Sequence, residues 1–386
     1  MKAQNLTLAN FRNHSTTSIS GFASGINVIS GQNGAGKTSI LEALSVNALT
    51  KSFTEAPDNT LVQSDAEKFS LDAQFISDLG VGLHSQIEYC AGPPAKKSIY
   101  VNNDRLRRAS DLIGRIPIVA LTPDDKVITG GSPEHRRRFL SLVLSQSSRL
   151  YLEDEIEFRK ALRHRNSLLG KLKERGASLA NAQIQLAPWT EVIIERSARI
   201  MSRRAAFISE FSPFLLESYK LVSDGSESPS LRYAPMGFDH HGGSAHEMRV
   251  FLEEEYLRRE AEELKRGMTL IGAHRDELVI MIAPAREAKR FASQGQHKSL
   301  LVAIKLAEFN YLRDATNETP ILLLDDVFSE LDASRSKRLL QLIASGRFGQ
   351  TFISSTTREN FDAMIDFSSN KHRLYVVEGG EVVDSR

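Results

Sequence analysis

Short runs in which apolar and polar positions alternate recur through the first hundred residues, and this period of two is typical of β-strands. Five segments carry the signal, at residues 5–11, 26–30, 68–76, 82–89 and 97–101. Between the second and the third, residues 37–49 place apolar side chains at a spacing of three and four, which predicts a helix. The N-terminal region is therefore expected to consist mainly of strands, with one helix among them.

The pattern changes at Ser132, which is a suitable N-cap for a helix that has Pro133 in its first turn. From there to about residue 220, apolar residues recur at i, i+3 and i+4 and predict long helices. Polar stretches at 223–230 and 239–246 predict loops, and residues 247–267 return to a helical pattern that ends at Gly267. This middle region predicts an antiparallel helical arm.

Strands and helices alternate in the last third of the chain. Apolar strand segments lie at 277–283, 320–326, 351–355 and 373–377, and helical patterns begin at 293 and 334. Because the N-terminal region could supply further strands to this α/β layer, we expect one head that is split in sequence. The predicted fold is an α/β head of mixed sheets and helices, formed by residues 1–131 and 267–386, with an inserted and mainly helical arm at 132–266.

The composition is that of a globular protein, since 41% of the 386 residues are hydrophobic. A formal net charge of +1 means that attraction to nucleic acid must come from local basic patches. The single cysteine, Cys90, excludes an intramolecular disulfide and a cysteine-built zinc site. The sequence also shows no signal peptide and no apolar run of about 20 residues, so we expect a cytoplasmic protein without a membrane partner.

The stretch GQNGAGKT follows an apolar strand segment and precedes a helical one, as the phosphate-binding loop G-x-x-x-x-G-K-[ST] requires. Its glycines allow backbone N–H groups to surround phosphate oxygens, while Lys37 can reach the β- and γ-phosphates and Thr38 can ligate Mg²⁺. The alternative is a glycine-rich turn without a ligand. We interpret the motif as a site for ATP and Mg²⁺ formed by Gly31, Gln32, Asn33, Gly34, Ala35, Gly36, Lys37, Thr38 and Ser39.

Four aliphatic residues followed by two carboxylates, ILLLDD at 321–326, are typical of a buried parallel strand that brings charge to its C-terminal edge. Asp325 is placed to hold the metal. Asp326, one residue further, could polarise the attacking water as a general base. Lys37 and Asp326 are therefore the predicted catalytic residues, and the alternative is a strand end followed by an ordinary turn.

Two further segments are candidates for contact with the nucleotide. Arg12 and Asn13 follow the first predicted strand and could lie beside the phosphate loop, with a solvated arginine as the alternative. The stretch SQGQ begins a helix, which Ser293 can cap and where Gly295 lets an anion approach the first amides. Together with Gln296, these residues predict a second anion site.

Basic side chains concentrate in two segments of the helical region. They are HRRRF, with Arg136 and Arg137, and residues 158–176, with Arg159, Arg163 and Lys171. Such side chains can bind DNA phosphates, although a basic helix face is often simply solvated. Because aromatic residues are sparse in these segments, we expect contact with the duplex backbone rather than base stacking.

The order of the motifs along the chain resembles that of ABC-type ATPase heads. A P-loop, a helical insertion, SQGQ, ILLLDD and then SELD follow one another, and SQGQ is similar to the signature motif of that superfamily. The signature helix there completes the γ-phosphate site of a second subunit. The resemblance therefore implies an ATP-dependent homodimer, with Asp332 of SELD also at the shared nucleotide.

The chain resembles the RecF family of bacterial recombination mediator ATPases more closely. The matching segments are NFRNH, GQNGAGKTSILEAL, GAHRDEL, FASQGQHKSLL and PILLLDDVFSELD. The resemblance implies that ATP joins two heads, that the dimer binds DNA at single-strand gaps, and that it acts with RecR and RecO in loading RecA during repair, recombination and replication restart. It gives no role to His274, Arg275 and Asp276 of GAHRDEL, for which a solvated turn is the alternative.

Two departures from the ABC pattern bear on ATP turnover. Asp326 stands where a glutamate is usual, and its shorter side chain would hold water less well, so slow hydrolysis is expected. The switch histidine is absent from TFISSTT, where Ser355 or Thr356 stands instead. The alternatives are the ATPase subunit of a membrane transporter and a scaffold that binds ATP without turnover, whereas an insertion of about 130 residues is too short for a long-armed ATPase.

Overall fold

The computed structural model of the chain describes residues 1–223, 227–237, 243–357, 359–362 and 364–385. These residues form two compact units. The head unit comprises the described residues within 1–126, 217–226 and 298–386, and the arm unit comprises those within 127–216 and 227–297. Among the described residues, no helix combines the length and the apolar character that a membrane span requires.

The strands and helices lie mostly where the apolar periodicity predicts them. The strands are β1 (Lys2–Phe11), β2 (His14–Ser20), β3 (Ile26–Ser30), β4 (Lys68–Ile76), β5 (Gly82–Cys90), β6 (Lys96–Val101), β7 (Asp104–Arg105), β8 (Ile118–Leu121), β9 (Ser230–Ala234), β10 (Glu277–Ala283), β11 (Arg286–Glu287), β12 (Ile321–Asp325), β13 (Thr351–Ser355), β14 (Arg373–Glu378) and β15 (Glu381–Ser385). The helices are α1 (Lys37–Leu49), α2 (Val127–Gly130), α3 (Pro133–Ser147), α4 (Arg149–Glu174), α5 (Leu179–Val222), α6 (Ala245–Arg266), α7 (Ala288–Phe291), α8 (Gln294–Thr316), α9 (Val327–Glu330), α10 (Ala333–Ala344) and α11 (Glu359–Asp362).

The head unit contains two six-stranded sheets. One is antiparallel, in the order β2-β1-β4-β5-β6-β7, and comes from the first part of the chain alone. The other has the order β15-β14-β3-β13-β12-β8, and its pairs are parallel except for β14 with β15. This second sheet joins both ends of the chain, as a head split in sequence predicts. It also brings the C-terminal ends of β3 and β12 to one edge, where ligands of such sheets bind.

Helix α1 packs against strands of both sheets. Its side chains are buried on nearly all sides, including Leu41, Leu44 and Val46, and a helix of that kind belongs in a core rather than at a surface. The same hydrophobic cluster contains Phe69 of the antiparallel sheet and Phe352 of the parallel sheet. The core therefore fixes the position of α1, the helix that follows the phosphate loop.

The arm unit contains α3, α4, α6 and most of α5, together with a three-stranded sheet of order β11-β10-β9. The sequence pattern predicts a junction at residue 266, whereas the compact unit extends to residue 297. The reason is the antiparallel ladder between β10 and β9, which ties the segment after α6 to the arm. The loops predicted at 223–230 and 239–246 lie partly outside the described residues.

Candidate nucleotide site

The loop between β3 and α1 has a backbone that only glycine fits at two positions. Gly36 has φ +110°, and a Cβ there would lie 2.5 Å from Nε2 of His14. A Cβ on Gly31 would lie 2.3 Å from the carbonyl oxygen of Val377. These glycines therefore allow the loop to curl tightly at the N-terminal end of α1, where free N–H groups and the helix dipole favour an anion.

Asn13 holds the loop from one side. Its Nδ2 donates a hydrogen bond to the carbonyl of Gly34 at 3.0 Å, and its Oδ1 accepts one from the hydroxyl of Ser39 at 3.2 Å. The predicted proximity of Asn13 to the phosphate loop thus agrees with its position. Its role in this structure is to brace the loop and the first turn of α1.

His14 and the β14–β15 turn hold the loop from the other side, and sequence analysis assigned neither of them a role. Nε2 of the buried His14 lies 3.0 Å from the carbonyl oxygen of Gly36, so this nitrogen must carry the proton and donate it. The N–H of Gly380 donates to the carbonyl of Ala35 at 2.9 Å. The sequence contains His14 in NFRNH and a glycine pair before Glu381, but it does not show which residues of the phosphate loop they would hydrogen-bond.

Lys37 is buried inside the loop that it serves. Its Nζ donates a hydrogen bond to the carbonyl of Gln32 at 2.8 Å, and only 7% of the residue is exposed. Burial lowers the pKa of Lys37, while the carboxylates of Asp326 and Asp325 act in the opposite direction. The ammonium group is therefore held in the loop next to the two acidic side chains.

Thr38 and Asp325, the two predicted metal ligands, meet in the structure. The Thr38 hydroxyl donates to Oδ1 of Asp325 at 2.8 Å, and the hydroxyl of Ser354 donates to the same oxygen at 2.6 Å. Burial raises the pKa of Asp325, and the bonds from Ser354 and Thr38 oppose that effect. Neighbouring ligands of octahedral Mg²⁺ lie about 3.0 Å apart when each Mg–O bond is about 2.1 Å. The spacing and the oxygen chemistry of this pair therefore fit Mg²⁺.

Asp326 has a left-handed backbone, with φ 48° and ψ 28°, just after β12 ends. Its N–H donates to the hydroxyl of Ser354 at 2.9 Å, which fixes this conformation beside Asp325. Among residues with a side chain, Asp and Asn adopt the left-handed region most readily. The backbone thus offers a physical reason for aspartate at the position where ABC-type heads usually have glutamate.

Arg12 is paired with a residue of α1, the helix that follows the phosphate loop. Its guanidinium forms two hydrogen bonds with Glu42, at 2.9 Å from Nε and 2.8 Å from Nη2, and Nη1 donates to the carbonyl of Thr60. Glu42 is 98% buried in α1, so Arg12 supplies the charge that a buried carboxylate needs. The contact of Arg12 with the nucleotide stays a prediction.

Ser293 and Gln296 form a reciprocal cap at the start of α8. The Ser293 hydroxyl accepts from the N–H of Gln296 at 3.2 Å, and Oε1 of Gln296 accepts from the N–H of Ser293 at 2.7 Å. Nε2 of Gln296 also donates to Glu227 at 2.7 Å. The pair therefore orders the first turn of α8, in which Gly295 lies. Contact of this turn with an anion remains a prediction.

Asp332 caps α10 in a similar way. Its side chain accepts from the N–H of Arg335 at 3.0 Å and forms an ion pair with the guanidinium of the same residue. These bonds from Arg335 lower the pKa of Asp332. Asp332 is thus fixed as a carboxylate at a helix start, and its predicted contact with a shared nucleotide stays a prediction.

Asp276 of GAHRDEL is fully buried in the arm unit, so the alternative of a solvated turn does not fit it. Its carboxylate accepts hydrogen bonds from Arg204 at 2.8 Å, from the hydroxyl of Tyr233 at 2.5 Å and from the N–H of Met236 at 3.2 Å. Burial raises the pKa of Asp276, and Arg204 opposes that effect most strongly. Asp276 therefore joins α5 to β9 and β10.

Arg204 extends the same buried network to α4. Its Nε donates to the hydroxyl of Tyr151 at 3.1 Å, its Nη1 donates to the carbonyl of Ala273 at 2.7 Å, and Nη2 lies 3.5 Å from Glu155. Only 2% of Arg204 is exposed. This charged network links α5 to α4 and to the segment before β10. The sequence does not reveal it, because each partner is distant in the chain.

His274, beside Asp276, is also mostly buried. Its Nε2 lies 3.1 Å from the carbonyl oxygen of Thr269, and its ring packs against Phe158 with centroids 5.9 Å apart. Burial lowers the pKa of His274 to about 4. The imidazole is therefore neutral near pH 7 and serves as a packed, hydrogen-bonded side chain of the arm.

The predicted DNA-binding residues divide into two groups. Arg136 is 5% exposed and pairs with Glu277 through two bonds of 2.8 and 2.9 Å, and Arg137 donates to the carbonyl of Asp276 at 2.7 Å. Both guanidinium groups thus have partners within the arm, Arg136 being buried and Arg137 half-buried. Contact of Arg136 and Arg137 with DNA stays a prediction.

The basic residues of α4 remain candidates for DNA contact. Arg159 is exposed but pairs with Glu155 at 2.7 Å. Arg163 and Lys171 are exposed and, within the described residues, form no salt bridge, and the same holds for Lys160 on the same helix. These three side chains leave the basic face of α4 uncompensated.

Comparison with protein families and curated sequences gives a consistent result. A model of the RecF/RecN/SMC N terminal domain family matches residues 2–380. The DNA replication and repair protein RecF of Chloroherpeton thalassium is 36% identical over 362 residues, which cover 94% of this chain and 96% of that protein. The RecF protein of Salinibacter ruber is 35% identical and covers 97% of this chain over 90% of its own length.

Solved structures show the same similarity in three dimensions. A structure of the recombination mediator protein RecF with ATP, in the RecFOR pathway, has a TM-score of 0.88 and 27% identity, and the match covers 100% of this chain and 97% of that one. The Smc head domain of Pyrococcus furiosus has a TM-score of 0.55 over 97% of this chain and 93% of that one, at 17% identity, and so shares the fold alone. The predicted fold class is thereby confirmed.

Proposed function

Because this chain belongs to the RecF family, we propose that it is an ATP-dependent DNA-binding protein of DNA replication and repair. The observation that carries the proposal is the hydrogen bond of 2.8 Å between Thr38 and Asp325, which unites the phosphate loop with the acidic end of β12. A RecF protein solved with ATP matches the whole chain, and this supports the choice of nucleotide.

In the proposed site, the N–H groups of residues 31–38 surround the phosphates, and Lys37 neutralises charge on the β- and γ-phosphates. Thr38 and Asp325 would hold Mg²⁺, which supplies further positive charge to the phosphates. Asp326 orients the attacking water and accepts its proton. Its short side chain supports slow turnover, so that bound ATP acts mainly as a switch.

The switch is the pairing of two chains. The first turn of α8, ordered by Ser293 and Gln296, would meet the γ-phosphate bound to the partner chain, and Gly295 allows the close approach. Asp332 would lie at the same shared site. The resulting homodimer would hold DNA at single-strand gaps in the cytoplasm and act with RecR and RecO to load RecA.

Sedimentation of the purified chain tests this proposal. We expect a monomer without nucleotide, a dimer with ATP and Mg²⁺, and a heavier species when a gapped duplex is added to the dimer. ADP serves as the control, because it lacks the γ-phosphate that the second chain would contact. A monomer under all conditions, with no DNA bound, would remove support for the switch.

Asp326→Asn should preserve ATP binding and dimerisation while slowing turnover by about 10²- to 10⁴-fold, the range typical of a lost general base. Asparagine tolerates the left-handed backbone at this position, so the change removes the base without new strain. Release of phosphate under single-turnover conditions measures the effect. Unchanged turnover would show that Asp326 is not the base.

A scaffold that binds ATP without hydrolysing it is the second candidate function, and the short side chain of Asp326 favours it. In that case the wild-type chain would dimerise with ATP and release no phosphate. The same single-turnover measurement therefore separates the two functions.

DNA binding should depend steeply on salt through the uncompensated face of α4. Each phosphate contact on duplex DNA contributes about −0.9 to the slope of log K against log salt. Replacing Lys160, Arg163 and Lys171 together by alanine should therefore make that slope shallower by up to about three units, equally for unrelated sequences, because phosphate contacts carry no sequence information. Anisotropy of a labelled duplex at several salt concentrations gives the slope.

A matched control removes the same charge from another helix of the arm. Arg249, Arg258 and Arg266 of α6 are exposed, but each pairs with a glutamate on its own helix. Replacing these three by alanine should leave the slope nearly unchanged. Equal effects of the two triple variants would mean that α4 is not the DNA surface.

A further inference from the structure

An aromatic pair lies between two helices of the arm unit. The ring of His164 on α4 and the indole of Trp189 on α5 are stacked, with centroids 4.8 Å apart and planes 16° apart. His164 is exposed and Trp189 is half-buried. Stacked rings with an open face can receive a further flat group, such as a nucleobase.

The pair is not needed to hold the two helices together. Leu169 and Leu172 of α4 pack with Ala182 and Leu186 of α5 in a separate buried cluster. Arg165 of α4 adds a hydrogen bond of 2.9 Å to Thr190 of α5. These contacts join the helices in the dry interior, so the exposed His164 adds little to their packing.

Positive charge flanks the pair along α4. Lys160 lies four residues before His164 and Lys171 lies seven residues after it, so the three side chains share one face of the helix at distances of about one and two turns. Both lysines are exposed, and neither forms a salt bridge with any described residue. Glu157, two turns before His164, ends this basic stripe.

We propose that His164 and Trp189 form a stacking platform for a base of single-stranded nucleic acid, with Lys160 and Lys171 on the adjacent phosphates. This inference rests on the proposed DNA-binding function and adds to it a preference for unpaired strands. It also replaces the expectation, drawn from the scarcity of aromatic residues near α4 in the sequence, that duplex or backbone contact is favoured over base stacking. A basic groove with an aromatic side chain is the usual arrangement for binding single strands without sequence preference.

Trp189 is the only tryptophan of the chain, so its fluorescence reports directly on the platform. With ATP and Mg²⁺ present, oligothymidine should quench this emission at saturation, whereas a blunt duplex bound to the same saturation should not. Quenching of equal depth by duplex, or no quenching by an oligothymidine that binds, would overturn the platform. If neither DNA binds, the proposed function fails and this inference falls with it.

Variants at His164 and Trp189 test the stacking itself. His164→Ala and Trp189→Leu should each weaken binding of labelled oligothymidine by about 5- to 100-fold while changing duplex affinity less than twofold. His246→Ala, which removes an exposed histidine from α6, is the control and should leave both affinities unchanged. Trp189→Phe should recover most of the affinity, since it keeps an aromatic ring. Equal losses for single strand and duplex would mean that the pair acts only through the packing of the arm.

Discussion

Replacing Lys37 by alanine should abolish the proposed ATP-dependent pairing of two chains. The Nζ group is buried in the phosphate loop, 2.8 Å from the carbonyl of Gln32 and beside two carboxylates, and it is the cation that the motif provides for the phosphates. Its loss removes charge-assisted bonds to the nucleotide and should weaken ATP binding by about 10- to 100-fold. Equilibrium binding of a fluorescent ATP analogue and sedimentation with ATP measure the two effects.

The control variant is Lys51→Ala, which removes an exposed lysine just beyond α1 and should change neither result.

Mixing two variant chains provides a second check. Ser293→Arg should bind ATP as a monomer but not pair, whereas Ser293→Ala should pair, because it loses only about 1 kcal/mol of helix capping. A mixture of Lys37→Ala and Ser293→Arg should pair in part, since one shared site then carries both changes and the other carries neither. Failure of the Ser293→Arg monomer to bind ATP would mean that α8 acts within its own chain.

Truncating Arg204 to alanine should destabilise the arm unit by about 3–5 kcal/mol. The change leaves the fully buried carboxylate of Asp276 without its ion-pair partner, and it leaves Glu155 with Arg159 as its remaining cation. Typical domains have only about 5–15 kcal/mol of unfolding free energy, so much of the margin of the arm would be lost. Urea unfolding followed by the fluorescence of Trp189, which lies in the arm, gives the free energy of unfolding.

The neighbouring Arg203 provides the matched control. It is 29% exposed as a side chain and pairs with Glu210 at 3.0 Å, so Arg203→Ala should change the free energy of unfolding by less than about 1 kcal/mol. Combining Arg204→Met with Asp276→Leu should recover part of the loss, because it removes both buried charges. Similar losses of unfolding free energy for Arg203→Ala and Arg204→Ala would show that the buried network around Arg204 stabilises the arm no more than a surface ion pair does.

The periodicity of the sequence located most of the fold because half-buried strands and amphipathic helices differ in their period. It failed where the period is short or absent. β8 is a run of four residues, IVAL, with no polar position to alternate with, and β2, HSTTSIS, is mostly polar. Both pair with strands that were predicted, so tertiary pairing rather than local pattern defines them.

The site was predictable to the extent that its chemistry is local in sequence. The spacing around Lys37 and the pair at 325–326 identified the phosphate loop and the acidic strand end. His14, Ser354 and Arg204 were missed because a buried polar side chain is defined by a partner elsewhere in the chain. For the same reason the sequence does not show the ion pairs of Arg12 with Glu42 and of Arg136 with Glu277, which only the fold reveals.

The sheet that carries the nucleotide site also sets when the site can exist during protein synthesis. Thr38 and Asp325 are separated by 287 residues. A ribosome that adds about 5–20 residues per second would therefore deliver Asp325 roughly 15–60 s after Thr38. The antiparallel sheet, complete by Arg105, can form early from local pairings, whereas β3 must wait for β13 and β12. A nascent chain thus exposes the phosphate loop before its acidic partner Asp325 has been synthesised.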